Sequence, residues 1–270
     1  MIKDITIGQF FPGNSFLHNL DARMKIVLTI ALVVAIFICS NFFSLGFFVL
    51  VTILLVAISG IPVKTIFKSI KPLAIIITIT ALLNIFYGKG EALVSLGRFS
   101  ITADGIKTAV FMAFRIILLV VVSSLLTYTT SPTQLTDALE RLMKPLKIMK
   151  IDTHAISMTM TIALRFIPTL LEEVDKIMSA QKSRGADIDT GGLVKKLKAL
   201  VPVLIPLFVS AFRRANDLAY AMECRCYRGG EGRTKMKVMR LGARDVAALI
   251  STCVIIAGII LMNIYLKNVI

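Results

Sequence analysis

Two triplets hold the most specific chemistry in this chain: Ser183-Arg184-Gly185 and Cys224-Arg225-Cys226, each a small residue, an arginine and another small residue. They are its one internal repetition, and each closes a stretch with helical apolar spacing. A guanidinium offers five donors in a rigid planar fork, and at a helix C-terminus its charge complements the negative end of the helix dipole. Small flanking side chains let such an end approach a partner closely, which suits it to an acidic groove on another protein. The plainer alternative is that Gly185 is an ordinary helix C-cap and Arg184 a solvated residue that favours the dipole.

Other reactive side chains carry weaker signals. Cys224 and Cys226 could be read as a metal or redox pair, but two residues apart on a helix they point about 200° from each other, and no further ligand stands near. Arg115 lies inside an apolar run, where a charge costs several kcal/mol unless paired or hydrated. It is either functional or packed against a helix partner such as Asn84. His18 and His154 have no carboxylate or cysteine at ligand spacing and read as structural or solvated. Glu172, Glu173 and Asp175 read as a solvated helical face.

The elements that position these residues follow from composition. The chain has 270 residues, of which 56% are hydrophobic, and its net charge is +15; its mean hydropathy is +0.82. That apolar share exceeds what a soluble domain uses and points to the bilayer as solvent. A helix crosses the hydrocarbon core in about 20 residues. The uncharged run Ile26 to Ser59 is nearly twice that and must be two spans, turning at Ser40 and Asn41. Further spans are predicted over Pro72 to Tyr87, Ile106 to Tyr128 and Val246 to Leu266. No removable signal is evident at the amino terminus, and the four cysteines, two of them in apolar runs, suggest no disulfide framework.

Charge sets the orientation. Residues 130–244 hold 20 of the 31 Lys and Arg, and with residues 1–25 and 60–71 they fall on one face of a five-span chain, which is therefore expected to be cytoplasmic. The apolar stretches Ala155 to Leu171 and Ala199 to Phe212 could be two more spans. Crossing there would export Lys176, Lys182, Arg184, Lys195, Lys196 and Lys198, and Arg165, Pro168, Pro202 and Pro206 interrupt the runs. They read better as long amphipathic helices at the membrane surface, His154 to Ser183 and Leu193 to Arg225. The first would carry an apolar stripe of Ile156, Met160, Ile167, Leu171, Val174 and Met178. Pro202 and Pro206 would bend the second or merely roughen it.

The expected fold is thus an all-α polytopic membrane protein with about five transmembrane helices and two long cytoplasmic ones. Its parts are a four-span domain over residues 1–129, a cytoplasmic domain over 130–243 and a last span over 244–270. A secondary transporter would need titratable groups within its spans, and the predicted spans contain no Asp, Glu or His. A membrane enzyme would need clustered acids or histidines, which are absent from the pattern. The positive charge follows topology and calls for no nucleic acid. Without a phosphate-cradling glycine loop, any ATP would be hydrolysed by a partner.

Beyond the triplets, the segments Phe11-Pro12-Gly13-Asn14-Ser15-Phe16-Leu17-His18 with Leu20-Asp21-Ala22-Arg23, Thr130-Ser131-Pro132, Ala163-Leu164-Arg165-Phe166-Ile167-Pro168 and Tyr227-Arg228-Gly229-Gly230-Glu231-Gly232-Arg233-Thr234 complete a pattern. In that order they resemble the transmembrane T component of energy-coupling factor transporters, in which two coupling helices end in Ala-Arg-Gly motifs. The last segment is similar to the shared, multi-substrate type rather than to those dedicated to cobalt, nickel or biotin. The resemblance implies a non-catalytic scaffold in a bacterial or archaeal cell membrane; the five-span topology puts the C-terminus outside. Its partners would be two ABC ATPase subunits, which bind ATP and Mg, and substrate-binding S components for vitamins or other micronutrients. Arg184 and Arg225 would each enter a groove on one ATPase. Here Ser183 and Cys224 stand where the family has alanine, and Cys226 where it has glycine.

Overall fold

The structure, a computed structural model, describes residues 10–86, 92–96, 99–145, 152–186, 192–230 and 241–265. The predicted span ends at Tyr87 and Leu266, the break residue Gly191 and the segment Glu231 to Thr234 lie outside the described residues. The polytopic helical fold is the one expected. Its helices are α1 (Ala22–Ile38), α2 (Phe42–Ser59), α3 (Val63–Ile70), α4 (Ala74–Phe86), α5 (Ala103–Thr129), α6 (Pro132–Leu142), α7 (Thr153–Ser183), α8 (Leu193–Cys224) and α9 (Ala243–Tyr265). A short antiparallel hairpin, β1 (Ala92–Leu96) and β2 (Phe99–Thr102), precedes α5 and was not foreseen. Neither was α3, which a 3-10 turn over Lys71–Leu73, carrying Pro72, joins to α4.

The described residues form two compact units, one within Gly8–Leu135 and Val238–Ile270, the other within Thr136–Lys237. In the first, α5 packs against α1, α2, α3 and α4, while α9 packs against α1 and α2. Its centre is built by Leu32, Ile36, Phe48, Leu118, Val122 and Ile259. The run Ile26 to Ser59 does break at Ser40 and Asn41: α1 ends at Ile38, and the Asn41 amide donates to Ser44 Oγ at 3.3 Å as α2 begins.

Arg115 is held at that same turn, and its partner is not Asn84. Its Nη2 donates to the Cys39 carbonyl at 2.5 Å and its guanidinium lies 4.7 Å from the Phe111 ring centroid. Asn84 instead donates to Thr80 O within its own helix at 2.8 Å. A charge placed against the carbonyl end of α1 finds there the negative end of a helix dipole, which offsets its desolvation. Asn263 of α9 secures the same end, donating to Ile38 O at 2.7 Å.

The Phe11 to Arg23 segment closes the opposite end of the bundle. His18 holds the loop through Ser15 Oγ at 2.6 Å and the Phe11 carbonyl at 2.9 Å, and its ring lies so near Gly13 that a Cβ there would come within 2.9 Å. Asp21 caps α1 by accepting from the Arg23 amide and pairs with the Arg23 guanidinium at 2.7 Å. Buried Asp245, in the first turn of α9, accepts from the Asp21 amide and from the Gly242 amide, both at 2.8 Å. Lys25 donates to His18 O and Thr129 O at 3.1 and 2.8 Å. The first two motifs of the amino terminus are thus structural, as expected for His18.

Candidate functional site

Helices α7 and α8 are 31 and 32 residues long, hence each about 45 Å. They run antiparallel. Ile162, Phe166 and Leu170 of α7 face Leu218, Ala219 and Met222 of α8 across a groove of about 260 Å³. The stripe expected to lie on the membrane surface includes Ile156 and Met160, which are exposed; the residues that meet α8 are a second set, at an interval of four beginning from Ile162. A helix this apolar has more than one candidate face, and only the partner selects between them.

Polar contacts lock the pair in register. Glu173 accepts from Arg214 Nη2 at 2.7 Å and from the Ser210 hydroxyl. Pro206 has no amide proton, so the Pro202 carbonyl one turn earlier loses its helical donor. Gln181 of α7 supplies a donor to that carbonyl at 3.3 Å. The helix accordingly continues through both prolines.

The two triplets fold into the same cap. At the end of α7, the Gly185 amide donates to Lys182 O and the Ala186 amide to Gln181 O, both at 3.0 Å. At the end of α8, the Cys226 amide donates to Glu223 O at 2.8 Å and the Tyr227 amide to Met222 O at 3.0 Å. These paired bonds define a Schellman cap, with the arginine as the last half-helical residue and the next residue left-handed. Gly185 has φ +86°. Cys226 has φ +56°, the sole positive φ outside glycine among the described residues. Ser183, Arg184, Gly185, Cys224, Arg225 and Cys226 are all exposed. Among the described residues neither guanidinium has a polar partner within the chain. With the helices antiparallel, the two caps lie at opposite ends of the pair, separated by roughly 40 Å at 1.5 Å rise per residue.

One of the caps is anchored. After Cys226 the chain turns at Gly229, with φ +88°, and Gly230 lies flat on the His154 ring, where a Cβ would fall 2.5 Å from His154 Cδ2. His154 Nδ1 is 3.3 Å from Glu140 Oε1, and Ser157 Oγ donates to Glu140 Oε2 at 2.9 Å. His154, read from the sequence as structural or solvated, takes a structural place here: α6 and α7 bring it to Glu140, 14 residues away. Ser157 is the residue of this cluster that sequence reasoning did not name, and the pairing of Glu140 and Gly230 with His154 was not foreseen. Gly229-Gly230 beside a capped helix end was the one available signal.

Among the described residues, six stretches can cross a membrane by length and composition: α2, Val63–Phe86, α5, α7, Lys198–Cys224 and α9. The 17-residue α1 is nearly as long and packs against α5 and α9. The fold is therefore that of a polytopic helical membrane protein carrying two long helices with exposed arginine caps.

Residues 13–236 match the family described as CbiQ, cobalt transport protein. The energy-coupling factor transporter transmembrane protein EcfT of Ruminiclostridium cellulolyticum is 52% identical over 263 residues, covering 97% of this chain and 98% of that relative. The protein of the same description from Clostridium kluyveri is 48% identical over 267 residues, covering 98% and 99%. That from Listeria innocua is 40% identical over 256 residues, covering 94% and 97%. The chain belongs to this family of energy-coupling factor transporter transmembrane proteins, and the resemblance read from its motifs was to the right one.

Proposed function

We propose that this chain is the scaffold through which two ABC ATPase subunits drive a separate substrate-binding S component. Arg184 and Arg225 dock one ATPase each, with Ser183, Gly185, Cys224 and Cys226 as the small residues that allow close approach. The observation that carries this reading is the repetition of one cap, arginine included, at two exposed helix ends. Two equivalent plugs suit two homologous sockets.

In this reading α7 and α8 lie at the cytoplasmic membrane surface rather than crossing it. Their mean hydropathy is 1.3, against 1.9–2.6 for the other four stretches, and exporting their basic residues would oppose the positive-inside bias. The amino terminus is then cytoplasmic, the C-terminus outside, and residues 1–129, 130–243 and 244–270 act as four-span, coupling and last-span segments. The exposed apolar face of α8, including Leu204, Phe208 and Phe212, is available to lipid and to the S component. ATP and Mg belong to the ATPases; this chain binds no cofactor and catalyses no reaction.

The relatives carry the general energy-coupling name, which favours a T component shared among vitamin-binding S components. The cobalt in the family description favours the alternative, a T component dedicated to one substrate. Affinity capture of the tagged chain from detergent-solubilised membranes tests both levels. Wild type is expected to bring down two ABC ATPases, and several different small membrane proteins if shared or one if dedicated. The Arg184→Ala, Arg225→Ala double variant is expected to lose the ATPases, since removing one member of a buried charge pair costs about 2–5 kcal/mol per site. Wild-type ATPase recovery by the double variant refutes the docking role.

A further inference from the structure

Aligned on their arginines, the ends of α7 and α8 share a backbone but not the charges around it. Two residues before the arginine stands Lys182 on α7 and Glu223 on α8; eight before it stands Lys176 on one and Asp217 on the other. All four are exposed. Past the arginine the sign reverses again in sequence, Asp187 against Arg228, although Asp187 lies outside the described residues.

Pairing of the two helices does not account for this reversal. Their antiparallel register is fixed by Gln181 on the Pro202 carbonyl and by Glu173 on Arg214. It sets Lys182 beside the proline-bearing stretch of α8, about 30 Å from Glu223 at 1.5 Å per residue. Among the described residues Asp217 and Glu223 meet no cation within salt-bridge distance. The two signs thus face separate surroundings, each on its own cap.

We infer, on the docking role proposed above, that Lys176 and Lys182 on one cap and Asp217 and Glu223 on the other decide which ATPase subunit seats on which helix end. The arginine and its cap are common to both ends and cannot discriminate. The flanking charges can. The socket for α7 presents acidic side chains to the last two turns and the socket for α8 presents basic ones, so the wrong subunit meets like charge at short range and mispairing is suppressed.

A photo-crosslinking residue in place of Ala180 or Ala221, each exposed and one turn before its arginine on the same face, reads the assignment in cells that express the complete transporter. Mass spectrometry identifies the ATPase captured at each position. In wild type each position is expected to favour a different subunit at least tenfold. Lys176→Asp with Lys182→Glu makes both caps acidic; the Ala180 position is expected to lose its subunit at least tenfold and the Ala221 position to keep its own. Adding Asp217→Lys and Glu223→Lys is expected to exchange the two subunits. The same subunit at both positions in wild type overturns the inference and leaves the docking role standing, as does an Ala180 position that keeps its subunit in the first variant or a fourfold variant without exchange. No ATPase at either position in wild type refutes the docking role and the inference with it. Should charge reversal unfold the chain, the neutral pair Lys182→Gln and Glu223→Gln is expected to cut both preferences at least threefold, and unchanged preferences overturn the inference.

Discussion

The ends of α7 and α8 share a backbone and an arginine yet differ in how they are held. The α7 cap closes on Gly185, which reaches its left-handed φ without steric cost, and it is exposed on all sides. The α8 cap closes on Cys226, where a β-carbon makes the same conformation costly. It is followed by a segment clamped through Gly230 against His154 and Glu140. One cap therefore forms by local preference and the other is imposed by tertiary contact. Two plugs of identical geometry can thus differ in stiffness, which matters if they serve two different subunits.

The contrast can be broken most sharply at Gly230. Gly230→Val forces its side chain into the His154 ring, and overpacking of this kind costs about 1–3 kcal/mol. Hydrogen exchange is expected to rise at the α8 cap and stay unchanged at the α7 cap; equal change at both would show that the clamp is not specific to Arg225.

Glycine and cysteine can then be exchanged in effect. Gly185→Ala meets no neighbour within 4 Å, so its cost is conformational, about 1 kcal/mol. Cys226→Gly removes the left-handed penalty but adds freedom to the unfolded chain, for a net gain of about 0.5–1 kcal/mol. Thermal unfolding of the purified protein should therefore move in opposite directions for the two variants. Shifts of the same sign would deny that the caps are equivalent.

The smallest effect concerns the register both caps share. The Ser210 hydroxyl, and after it Arg214, hold the Glu173 carboxyl below its usual range. Its contribution is fully present above the ordinary glutamate range and is lost as pH falls through and below it. The pairing of α7 and α8, read by a fluorescence label pair across them, is expected to loosen in acid in wild type. Glu173→Gln should flatten that acid dependence, and an unchanged acid profile would exclude Glu173 as its source.

Much of this was legible beforehand. The break at Ser40 and Asn41, the long helices ending at Ser183 and Cys224, and the arginine triplets all came from features within a few residues: apolar period, charge, and punctuation by small or polar residues. The strand pair Ala92–Leu96 and Phe99–Thr102 escaped because short strands barely differ from loops in pattern. The set that meets α8, Ile162, Phe166 and Leu170, was not singled out because two apolar phases coexist on α7.

What the chain determined by itself was thus the set of helices and the chemistry at their ends, because helix formation and helix termination are local hydrogen-bond events. What tertiary structure alone decided was every pairing across distance. Arg115 found the Cys39 carbonyl 76 residues away, Asp245 found the Asp21 amide 224 residues away, and Gly230 found the face of His154. No spacing rule encodes such contacts, since a buried charge or polar group takes whichever partner packing brings within reach.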